Sequence, residues 1–124
     1  MSPVRAPVPA TLVTGPDARA REAAIAAALG AAPAGAAIIL EGLATGSSPL
    51  DLLAIDPPPA CIAPGCLCCT GNLVLRVTLN RLLRQRPERL FIGVARGEHL
   101  DQLRSWLQSE PYDQLLWLTP DLEA

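Results

Sequence analysis

Four of the side chains best able to bind a soft metal fall within nine positions: Cys61, Cys66, Cys68 and Cys69. Cytoplasmic thiols are reduced by default, so such packing suggests metal ligation or reactivity before disulfides. In an extended segment the alternate pair Cys66 and Cys68 projects to one side, whereas the adjacent Cys68 and Cys69 diverge unless the chain turns, which Thr70-Gly71 permits. Two or three thiolates from one loop suit Zn²⁺ or Cu(I), and a tetrahedral zinc would take its fourth donor from Cys61, Glu41, His99 or water. An exposed three-sulfur site with an open position resembles a transfer site more than a structural one. The plainer alternative is that the cysteines are buried small apolar residues. His99, beside a helix start, is favoured as an ordinary surface imidazole over a ligand.

A second chemical pattern lies at the first strand-to-helix turn. There the unpaired amides of a helix N-terminus would bind phosphate, and the sequence to test is GxxxxGKS/T. Gly15 fits the first position, but Ala20 stands at the second glycine, Arg21 at the lysine and Glu22 at the hydroxyl residue. Ala20 adds a Cβ where backbone must wrap phosphate, Arg21 offers a planar fork in place of a point charge, and Glu22 removes the Mg²⁺-binding hydroxyl. Gly15 and Arg21 remain the candidate nucleotide-contacting residues, while productive phosphoryl transfer is hard to build from this set. An ordinary turn without ligand is the favoured reading, and bound GTP with Mg²⁺ is not expected.

The elements that must position these residues can be read from periodicity. Thr11–Thr14 is a β-branched run ending at Gly15, and Asp17 to Leu29 is helical in spacing and stopped by Gly30. Ala36 to Leu40 is apolar without alternation, as expected of a strand covered on both faces. Ala60 to Ala63 is a short strand delivering the cysteines. Asn72 can cap a helix carrying Leu75, Leu79, Leu82 and Leu83 on one face, which Pro87 stops. Arg89 to Ala95, the helical His99 to Gln108 and the strand Leu115 to Thr119 complete the alternation. Such alternation implies an α/β three-layer domain, P-loop-NTPase-like, with a mostly parallel sheet flanked by helices.

At 124 residues the chain is long enough for one modest core, so residues 11–124 are read as a single domain behind a Pro-rich flexible leader, residues 1–10. Half of the residues are hydrophobic, the net charge is −2 and the isoelectric point is near 5.3, which supplies no electrostatic footprint for nucleic acid. All ten basic residues are arginines, which excludes any mechanism needing a lysine ammonium. The leader is no signal peptide, and the run Ala23 to Leu40 is broken by Gly30, Pro33 and Gly35, so no membrane span is expected and the compartment is read as cytoplasm.

The run Gly65-Cys66-Leu67-Cys68-Cys69 resembles the GCxCC motif of the CobW-like metal-chaperone GTPases, which share the P-loop class with HypB- and UreG-type proteins. Thr70-Gly71-Asn72-Leu73, Val77, Leu79, Arg81-Leu82-Leu83 and Arg86-Pro87-Glu88-Arg89-Leu90 resemble the helix and strand that come after that motif in one bacterial branch. Glu41-Gly42 resembles the start of that family's switch loop. The resemblance implies metal handling coupled to GTP hydrolysis, with a metalloprotein client. The departures remove the coupling: Gly93 stands at the acid after the strand, Arg96 at a glycine, only His99 keeps its register, and the guanine-specifying segment and C-terminal domain have no counterpart. The expected function is therefore a non-hydrolysing pseudo-GTPase domain that binds zinc through Cys66, Cys68 and Cys69. Its partners would be a client or a full-length CobW-like paralogue, and a homodimer is one way to complete coordination. A residual GTPase using Arg21, and an interaction module or decaying paralogue with neither ligand, are the competing readings. Trp106 and Trp117 are read as core or edge packing, and the arginines of the Asn72 helix as a solvated face.

Overall fold

The computed structural model describes residues 7–30, 35–42, 59–62, 73–95, 100–110 and 112–124. The elements run β1 (Val8–Thr14), α1 (Ala18–Leu29), β2 (Ala36–Glu41), β3 (Ala60–Ile62), α2 (Leu73–Arg84), β4 (Arg89–Gly93), α3 (Leu100–Leu107), α4 (Tyr112–Leu115), β5 (Leu116–Leu118) and β6 (Leu122–Glu123). The described strands pair in parallel in one sheet of order β3-β2-β4-β1-β5, with β6 also on β1. The fold is the expected α/β three-layer architecture.

The unbroken apolar run of β2 shows why two layers of helix are needed. Alternate side chains enter opposite cores: Ala37 and Ile39 join one formed with α2 and α3, while Ala36 and Ile38 join a smaller one under α1. Leu75, Leu79, Leu82 and Leu83 supply the larger core from α2, and Leu103 and Leu107 from α3. The chain leaves β1 across β4 to reach β2, and leaves β4 across β1 to reach β5. Crossovers of one hand travelling in opposite directions must use opposite faces, and α1 and α3 do so.

Several boundaries differ from the sequence reading. β1 begins at Val8, taking in Pro9 and Ala10 from the Pro-rich stretch; pairing with β4 starts only at Ala10, so Pro9 leaves no ladder donor missing on that side. The expected strand Leu115 to Thr119 forms as β5, one residue shorter at each end, with two unforeseen elements around it. Tyr112–Leu115 is a helical turn packed beside β5, and β6 was not expected at all. Asn72, the proposed cap of α2, lies outside the described residues. Trp106 is partly buried and packs against the Tyr112 ring at 4.7 Å, whereas Trp117 is 52% exposed at the β5 edge. No helix among the described residues is long and apolar enough to cross a membrane.

Candidate functional site

In an open parallel sheet, ligands bind outside the carboxyl ends of strands where the chain departs in opposite directions. Here that point lies between β1 and β4, and Gly15, Glu41, Val94 and Ala95 gather there. Val94 N–H donates to the Val13 carbonyl at 2.8 Å, extending the ladder past Gly93. Glu41, 5% exposed, accepts the Ala95 N–H on Oε1 at 2.7 Å. Its carboxylate therefore fastens the chain where it leaves β4.

The turn after β1 is closed by its own residues. Asp17 is the N-cap of α1, and its Oδ1 accepts the Ala20 N–H at 2.7 Å. An anion already bonded to a first-turn amide competes with the phosphate that this end of a helix would otherwise attract. Arg21, 6% exposed, folds back so that Nη1 donates to the Gly15 carbonyl at 3.1 Å. From the other side Ala124 N–H donates to the Thr14 carbonyl at 2.7 Å, and a Cβ placed on Gly15 would meet Ala124 Cβ at 2.6 Å and Arg21 Cγ at 3.2 Å. Gly15 has no left-handed backbone torsion. Glycine is required there because the β6 segment approaches the turn.

The remaining candidates are distributed unevenly. Cys61 on β3 is exposed; it pairs in register with Leu40, and Glu41 pairs with Ile62. Because successive side chains alternate, Cys61 faces the α1 layer and Glu41 the α2–α3 layer, so the two do not converge on one ion. Partial burial and the nearby Glu22 carboxylate push the Cys61 thiol above its ordinary range. Cys66, Cys68, Cys69 and His99 lie outside the described residues. Among the described residues, no three His, Cys, Asp or Glu side chains converge as a metal site.

Sequence reasoning missed Ala124 and gave Asp17 no role beyond opening a helical segment. A two-residue strand gives no periodic signal, so the contact over Gly15 was not legible. The Asp17 cap was visible as an acidic residue three positions before Ala20, but its competition with phosphate depends on the closed turn. Comparison of the chain with protein-family models, curated proteins and solved structures finds no match.

Proposed function

We propose that this is a cytoplasmic, non-hydrolysing, CobW-like domain that binds zinc through Cys66, Cys68 and Cys69 and serves metal homeostasis beside a metalloprotein client or a full-length paralogue. The observation that carries the reading is the closed turn at Gly15: Asp17 engages the Ala20 amide and Arg21 is turned onto the Gly15 carbonyl, two donors a nucleotide phosphate would need, while Ala124 fills the space against Gly15. With that site engaged internally, the cysteine segment is the chemical apparatus left to perform a function. Support also comes from position, since the segment joins Ile62, at the carboxyl edge of the sheet, to Leu73. Zinc bound there would supply a tetrahedral centre with thiolate ligands; the chain's part is to furnish deprotonated sulfur. Cys61 is a weakened donor at neutral pH, because its proton is held more firmly than usual.

The test is zinc competition against a chromophoric chelator with the reduced protein. Stoichiometric binding tighter than about 1 μM is expected, with loss of at least about tenfold in the double variant Cys66→Ser, Cys68→Ser. Equal binding by that variant, or none by the wild-type chain, overturns the proposal. Titration with a fluorescent GTP analogue and Mg²⁺ checks the other half: saturable binding abolished by Arg21→Ala would favour the residual GTPase instead.

A further inference from the structure

The four exposed large hydrophobic side chains among the described residues are not scattered. Leu73, Val74 and Val77 lie on α2, 65%, 53% and 58% exposed, and Trp117 lies on β5. At about 100° per residue, Leu73, Arg84, Val77, Arg81 and Val74 fall within one stripe about 100° wide, opposite Leu75, Leu79, Leu82 and Leu83. Helix α2 thus has a second organised face, apolar in its first half and basic in its second. Between Leu73 and Arg86 there are four arginines and no acidic residue, and none of Arg76, Arg81, Arg84 and Arg86 forms an ion pair among the described residues.

A complementary surface lies on β5 and α4, beyond the contact in which Tyr112 Oη of α4 donates to Asn80 Oδ1 of α2 at 2.9 Å. β5 is an edge strand, and beside it Leu107, Gln108, Asp113, Leu116, Trp117 and Leu118 line a groove of about 390 Å³. Asp113 and the neighbouring Glu110 are exposed and have no cationic partner among the described residues, while Arg104 is spent on Asp121 at 2.6 Å. This face is acidic with an apolar floor.

We propose that the chain associates with a second copy of itself head to tail, the apolar and basic stripe of α2 seating in the acidic β5–α4 groove. The α2 stripe is about 18 Å long, and its halves match the groove in kind: Val77 and Leu73 against Trp117 and Leu118, Arg81 and Arg84 against Asp113 and Glu110. Because the two faces differ, the contact is heterologous, and each copy keeps one face free for the next. One helix in one groove is a small interface, so dissociation constants on the order of tens of micromolar are expected. The ionic part makes association weaken with salt.

Sedimentation velocity of the full chain from about 1 to 300 μM, at low and high salt, reads the association. Expected are masses above the monomer that rise with concentration and fall with salt. Val77→Asp on the stripe, and separately Asp113→Arg in the groove, should each weaken self-association by about tenfold or more while leaving circular dichroism and thermal unfolding unchanged. Both sites are exposed. Mixing the two variants is decisive, since each retains the face the other has lost, and a one-to-one heterodimer must form. The charge swap Arg84→Glu with Asp113→Arg should restore assembly. A wild-type chain monomeric at about 300 μM, assembly indifferent to both substitutions, or a mixture that stays monomeric would overturn the proposal.

Discussion

Gly15→Ala tests why the turn after β1 is closed. The added Cβ would lie 2.6 Å from Ala124 Cβ, roughly 1 Å inside ordinary contact, and 3.2 Å from Arg21 Cγ. The second contact yields to a small movement of a flexible side chain, but the first does not, because Ala124 is held by its N–H on the Thr14 carbonyl and by the pairing of Glu123 with Thr14. Overpacking of this kind costs about 1–3 kcal/mol. For 124 residues, an unfolding entropy of about 2.1 cal/mol/K per residue converts each kcal/mol into about 4 °C, so Tm should fall by about 4–12 °C. The same substitution in an Ala124→Gly background removes the opposing Cβ and should cost under about 0.5 kcal/mol, leaving a coupling of at least about 0.5 kcal/mol in the double-mutant cycle. Differential scanning calorimetry of the four chains measures it. An equal cost in both backgrounds would refute the claim that Ala124 dictates glycine at position 15.

Asp17→Ala removes the α1 cap and should destabilise by about 1 kcal/mol, seen as a Tm loss of about 4 °C. Tyr112, the one tyrosine, should titrate above the ordinary phenol value in ultraviolet absorbance, because burial outweighs the opposing effect of Arg76; Arg76→Ala should move it higher still. A folded-state value raised above the unfolded one gives stability that is complete below the ordinary phenol value near pH 10 and lost as pH rises through the raised value. Cys61, in a chain with the other three cysteines replaced by serine, should alkylate slowly at pH 7, and Glu22→Gln should speed the reaction by lowering the thiol pKa; unchanged kinetics would show that Glu22 does not act on Cys61.

Much of the scaffold is legible in the order of residues. β2 announces a strand buried on both faces through an unbroken apolar run, and α1 announces its start and stop through Asp17 and Gly30, which has a φ of 59° at the C-cap. α2 and α3 carry leucines at helical spacing, and alternation of strand and helix already requires a parallel sheet. These features are local, since each depends on a period or a cap within a dozen residues. Edges of the fold are less visible: α4, β6 and the early start of β1 are short or Pro-containing and take their form from the neighbours they pair with.

For the site, residue types set the chemistry available: four thiols in nine positions, no lysine, and a turn keeping Gly15 but lacking the other phosphate-loop residues. How those groups are used came from the packed fold. It turned Arg21 onto the Gly15 carbonyl, gave Glu41 to the Ala95 amide, set Cys61 and Glu41 on opposite faces of the sheet, and brought Ala124 against Gly15 from 109 positions away. It also left one face of α2 and the β5 groove uncovered. The reason is physical: residue type fixes which bonds a side chain can make, whereas the partner it meets depends on strand order and register, which no local stretch of sequence contains.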